Sequence, residues 1–130
     1  MSAFNRQEAF DKAYRGIVKQ GGPAYGNGSC MYRAPDGNKC AIGQLMPEDA
    51  EPRLWDLSGS IDGHASRPIA ALLGIGEADM GFADDLQAAH DRRARQGLDA
   101  GEYLGFFRHY MRGLAEAYDL NPAVLDEQPA

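Results

Sequence analysis

"SCMYRAPDGNKCAIG" (Ser29–Gly43) is the stretch on which the fold class turns, since it sets both cysteines of the chain on either side of a turn signal. In Ala34-Pro35-Asp36-Gly37-Asn38, proline suits the second position of a type I turn and aspartate the third. Gly37 then takes the left-handed conformation, which makes a three-residue loop with a G1 bulge. That register pairs Ala34 with Asn38, Tyr32 with Cys40, and Cys30 with Ile42. Alternation along a strand puts Cys30, Tyr32, Cys40 and Ile42 on one apolar face and Arg33 and Lys39 on the other. The expected unit is an antiparallel β-hairpin. Its cysteines are diagonal neighbours about 7–8 Å apart, too far for a disulfide.

The flanking sequence reads as helix. Asn5, followed three residues on by Glu8, predicts an N-cap, and Ala9, Phe10, Ala13, Tyr14, Ile17 and Val18 form a stripe at helical spacing. Gly21, Gly22 and Pro23 end it. Further on, Pro47 opens a short helical turn whose neighbours Leu54, Trp55 and Leu57 supply apolar contacts. Ser66 is placed to cap a short helix over "RPIAALLGI", after the loop "SGSIDGHAS". A helix from about Phe82 to Arg95 closes at Gly97. The clearest pattern comes last. Asp99 and Glu102 begin a helix carrying Tyr103, Phe107, Tyr110, Leu114 and Tyr118, with Leu104 and Met111 beside them. Residues 121–130 read as a polar tail.

These elements predict an α+β class, with a small antiparallel hairpin or sheet packed among four or five helices in a single domain spanning residues 1–130. At 130 residues, 44% hydrophobic and 25% charged, the chain has the composition of a globular protein. It contains no apolar run of membrane-spanning length, and "MSAFNRQEAF" lacks the layout of a signal peptide. A cytoplasmic location with reduced thiols is therefore expected, with no membrane association.

The net charge of −6 is unevenly placed. After Arg53 lie only 6 of the 13 Lys and Arg residues but 13 of the 19 Asp and Glu residues. Direct nucleic-acid binding, which needs clustered cations, is disfavoured. An acidic second half suits a basic partner, either a protein or a nucleoprotein complex. Asp84, Asp85 and Asp91 on the helix from about Phe82 to Arg95 are the candidate contact residues, together with Arg33 and Lys39 on the charged face of the hairpin.

Two chemical alternatives use the same few side chains. Zinc would need about four ligands, and Cys30, Cys40 and His90 with a carboxylate could supply them. The cysteines lack C-x-x-C spacing, and His64, His90 and His109 do not cluster in sequence. A thiol nucleophile would take Cys40, with His90 as base oriented by Asp91 or Asp85. Cys40, however, falls mid-strand on the core face, where cysteine acts as a small apolar residue. No cofactor, metal or catalytic residue is expected.

Cys30-Met31-Tyr32-Arg33, Asp36-Gly37, Lys39-Cys40-Ala41-Ile42-Gly43, Leu45 and Pro47 together resemble a small protein family of bacteria and tailed phages. The helix Leu86-Gln87-Ala88-Ala89-His90-Asp91 and the closing aromatic helix are similar to it as well. The resemblance implies no catalytic residue. It implies a gene carried on a mobile element or phage, and by analogy a compact acidic protein that binds and inhibits host machinery as a counter-defence. A non-enzymatic protein-binding module is the function expected. The alternative is a small thiol enzyme or zinc protein using Cys40, Cys30 and His90.

Overall fold

Asn5 caps the first helix as its sequence dictates, its Oδ1 accepting the Glu8 N–H at 2.9 Å. A computed structural model describes residues 4–26, 29–57, 61–94 and 99–127. The helix, α1 (Arg6–Gln20), buries Ala9, Phe10, Ala13, Tyr14 and Ile17 and ends on Gly21 in the left-handed region. Among the described residues three further helices follow: α2 (Arg67–Leu73), α3 (Glu77–Asp91) and α4 (Ala100–Ala117). Short 3-10 turns lie at Gly43–Leu45, Pro52–Asp56, His64–Ser66 and Ala123–Asp126.

The core is built by aromatic side chains of α1, α3 and α4. Tyr14 of α1 stacks on Phe107 of α4 at 5.6 Å, and Phe107 stacks in turn on Tyr103. Phe82 of α3 meets Tyr118 edge-on at 5.0 Å. Arg6 ties the three helices together at one end. It donates to Asp79 and to the Ala78 carbonyl, and its guanidinium lies over the rings of Phe82 and Tyr118.

The helical architecture corrects the α+β expectation. Among the described residues, β structure amounts to an antiparallel pair of two residues each, β1 (Tyr25–Gly26) with β2 (Ser29–Cys30), and one isolated bridge between Arg33 and Lys39. The turn itself forms: Gly37 has φ +92, the Ala34 N–H reaches the Asn38 carbonyl at 2.8 Å and the Cys40 N–H reaches the Tyr32 carbonyl at 3.2 Å. Pairing stops there. From Cys40 the backbone winds helically, with the Gln44 N–H on the Cys40 carbonyl and the Leu45 N–H on the Ile42 carbonyl. Ile42 therefore never faces Cys30, whose backbone pairs with Tyr25 instead. The Ile42 N–H is taken by the side chain of Gln87 at 3.1 Å, so a helix supplies the partner that a strand would have given.

Gly43 shows why that bend is tight. A β-carbon there would sit 2.3 Å from the Tyr32 carbonyl oxygen, so the chain passes directly against the preceding arm of the turn.

Other boundaries shift for local reasons. α3 begins at Glu77, five residues before Phe82, because Gly81 is carried inside the helix and Glu77 and Asp79 place negative charge at its start. It ends at Asp91, four residues before the expected Arg95, and the expected stop at Gly97 falls outside the described residues. Ser66 does not cap α2; it is fully buried, and its hydroxyl shares a 2.8 Å hydrogen bond with that of Tyr32. Residues 121–127 of the segment read as a polar tail fold back on α1 and α4. Val124 and Leu125 are buried, Gln7 exchanges hydrogen bonds with the Asn121 backbone, and Arg15 forks onto Glu127.

Candidate functional site

The helical turn after Cys40 and the C-terminal half of α3 bring most of the chemistry-bearing residues together. Cys40 is fully buried, and its Sγ accepts the Gly43 N–H at 3.2 Å. Burial pushes the thiol up to about 12, against a smaller lowering by that N–H. A thiol so placed is almost entirely protonated at neutral pH and out of reach of a substrate, the reverse of what a nucleophile needs. The side chain of Cys30 lies outside the described residues.

His90 is fully buried as well, and both ring nitrogens are occupied. Nε2 accepts the Ala24 N–H at 3.0 Å, which places the ring proton on Nδ1, donating to Asp91 Oδ1 at 2.6 Å. The same carboxylate oxygen accepts from Gln87 Nε2 at 3.0 Å, and Gln87 Oε1 holds the Ile42 N–H. Tyr103 closes the group by donating to the His90 carbonyl at 2.7 Å. This is a polar network with assigned partners: it anchors the chain at Ala24 and at Ile42 onto α3. His90, with no free nitrogen, can serve neither as a general base nor as a ligand while the network stands. Among the described residues, no group of three or more His, Cys, Asp and Glu side chains could hold a metal ion.

Gln87 is the member that sequence reasoning missed. It lies three residues before His90 and four before Asp91, so the spacing Gln-x-x-His-Asp places the three on one side of a helix. Nothing in the sequence marks Ala24 or Ile42 as their targets.

Arg33 and Lys39 do share a face, as their alternation implies, but that face is occupied. The Arg33 guanidinium lies 4.4 Å from the centroid of Trp55 and the Lys39 ammonium 5.2 Å from it. Lys39 also pairs with Glu48, whose carboxyl is held below its usual range by that bond. Trp55 is buried under the two cations, which are thereby engaged in holding the 3-10 turn Pro52–Asp56.

The acidic candidates differ in exposure along α3, and Asp91 faces the internal network of Gln87 and His90. Asp85 is exposed and accepts the Tyr118 hydroxyl at 2.6 Å, which raises the phenol. Asp84 and Asp91 are half-buried. The carboxyl of Asp84 is raised above its ordinary value, first by burial and then by the charges of Asp62, Asp85 and Asp91. Among the described residues, no Lys or Arg forms an ion pair with any of the four. Asp62, from the loop before α2, is a member that the sequence did not single out.

No family model, curated protein or solved structure matches this chain.

Proposed function

We propose that this chain is an acidic protein-binding module that docks the outer face of α3 on a basic surface of a host protein or nucleoprotein complex. The setting proposed is a mobile element or phage whose product inhibits or modulates host machinery from the cytoplasm. The resemblance of the Cys30–Pro47 block to a family of bacteria and phages supports that setting. No helix among the described residues is long and apolar enough to cross a membrane.

One observation carries the reading. Asp84 stands among Asp62, Asp85 and Asp91 with no basic side chain moderating its carboxyl. Such a group is unfavourable to the isolated fold, and a cationic partner would relieve it. The thiol and the imidazole, by contrast, are committed to internal bonds.

The test is binding to host protein captured on the immobilised chain and then identified, measured across salt. Association should slow steeply as the Debye length shrinks from about 30 to 8 Å. Asp84→Lys should abolish capture while leaving the melting profile cooperative, whereas Cys40→Ala should retain it. Salt-independent capture that survives Asp84→Lys would discard the acidic face. Loss of a biological activity in folded Cys40→Ala, with capture intact, would discard the non-enzymatic reading.

A further inference from the structure

Ala24 is the point at which the chain between α1 and the cysteine turn is fastened to α3. It is fully buried and uses both of its backbone groups. Its N–H donates to His90 Nε2 at 3.0 Å, and its carbonyl accepts the Met31 N–H at 3.1 Å. The β1–β2 pair lies between those two residues, so one imidazole nitrogen anchors both of its arms. The end of α1 has separate ties to the turn, since Gln20 exchanges hydrogen bonds with the Lys39 backbone.

The two nitrogens of His90 respond oppositely to a second proton. Nδ1 already donates to Asp91 at 2.6 Å, and a positive ring strengthens that bond. Nε2 has only its lone pair with which to hold Ala24. A proton taken there from solvent turns the acceptor into a donor, and two N–H groups then meet across 3.0 Å in a buried site. The ring keeps Asp91 and must release Ala24. Histidine is the side chain suited to make this change within biological pH.

Around the ring stand Asp91 on α3, Tyr103 of α4 with its centroid at 6.1 Å, Cys40 and Tyr32 from the turn, and Tyr25, which follows Ala24 in β1. Asp84 and Asp62 add negative charge farther out, Asp84 beside Asp91 and Asp62 beside Tyr32. Phenols and thiols hold their protons throughout the acid range, so only the carboxylates compete with the ring for protons there. Among the described residues no Lys or Arg pairs with Asp91, whose charge is left to the imidazole. We propose that His90 is an acid-released latch: a proton at Nε2 frees Ala24, and with it Met31, from α3 while the helices stay packed. This does not rest on the docking reading above, since it needs neither a partner nor Asp84.

Amide hydrogen exchange on the isotope-labelled chain, corrected for the intrinsic pH dependence of exchange, tests it together with the imidazole nitrogen shifts. As the solution is acidified, Nε2 should pass from acceptor to protonated. Below that midpoint the protection of Ala24 and Met31 should fall by about tenfold per pH unit, one proton being taken up at each opening. Phe107 in α4 should keep its protection. His90→Gln, whose side-chain oxygen reaches the place of Nε2 and takes no proton, should remove the fall. Asp91→Asn leaves an oxygen for the Nδ1 proton and removes the counter-charge, so the fall should persist but move to lower pH. A ring that titrates while Ala24 stays protected would overturn the latch, as would a ring that takes no proton while α4 remains folded. Protection lost at Ala24 and Phe107 together would mean general unfolding and overturn it as well. A fall that survives His90→Gln, or one abolished by Asp91→Asn, would assign the trigger to a carboxylate instead. The wild-type ring shifts and Ala24 protection decide the matter even where a variant fails to fold.

Discussion

Cys40 shows how burial converts a reactive residue into a structural one. The free thiol has an ordinary pKa of 9.0, and the fold holds it at about 12. Tyr32, raised by burial from 10.0 to about 12, behaves in the same way. In the unfolded chain both protons leave near the ordinary values; in the folded chain they stay until about 12. Between these limits the unfolded state binds fewer protons, so stability is full below about pH 9 and falls as pH rises toward about 12. Urea midpoints measured from about pH 8 to 11 should decline over that range, with a shallower decline in Cys40→Ala. At about pH 8 the peptide Cys40–Arg53 of the native protein should resist alkylation by iodoacetamide that modifies it rapidly in urea. Equal rates in the two conditions would mean that the thiol is open to solvent. The buried role of Cys40 is legible in its alternation with Tyr32 and Ile42. The commitment of His90 is not, because its acceptor role is fixed by an amide 66 residues away.

At the scale of elements, what could be read depended on whether an element carries its own signals. α1 and α4 do: Asn5 and Asp99 each accept the N–H three residues on, and their stripes bury Phe10, Tyr14, Ile17, Tyr103, Phe107 and Leu114, while Val18, Leu104, Tyr110 and Tyr118 stay half-buried. The arm after Lys39 does not. Its alternation up to Ile42 is that of a strand, but the decisive partner of Ile42 is Gln87 on α3, and tertiary packing overrode the local pattern. Two left-handed positions give opposite predictions here. Gly37 has φ +92, and Gly37→Val should cost about 1 kcal/mol or more. Asp119, just past α4, has φ 55, and the Leu120 N–H returns to the Ala115 carbonyl across it at 2.8 Å. Glycine suits such a helix end better than aspartate, so Asp119→Gly should stabilise by about 0.5–1 kcal/mol. Thermal melts should therefore move in opposite directions. A neutral Gly37→Val would show that the turn relaxes to another form, and a destabilising Asp119→Gly that the aspartate side chain has a role of its own.

For the molecule as a whole, charge placement matters more than charge total. The basic residues Arg6, Arg15, Lys39 and Arg108 are paired with Asp79, Glu127, Glu48 and Asp126, and these pairs pin the helices, the Trp55 turn and the C-terminal segment. The acids around Asp84 receive no such partner among the described residues, an asymmetry that the uneven charge of the two halves foreshadows without locating it. Burial and neighbouring carboxylates raise Asp84 above its ordinary 3.8. A carboxyl raised in this way favours the fold while protonated, and that contribution is lost as pH climbs through its folded pKa. Once ionised, Asp84 is thus a net liability. Asp84→Asn, which keeps the shape and removes the charge, should melt higher than the wild type at neutral pH, by about 0.2–0.5 kcal/mol on the scale of like-charge neighbours. The advantage should shrink as both proteins are acidified and the wild-type carboxyl becomes protonated. The same variant should bind a basic partner more weakly, so stability and recognition move apart with one substitution. If Asp84→Asn were instead less stable at neutral pH, the carboxylate would be serving the fold, and the outer face of α3 would lose its claim as a docking surface.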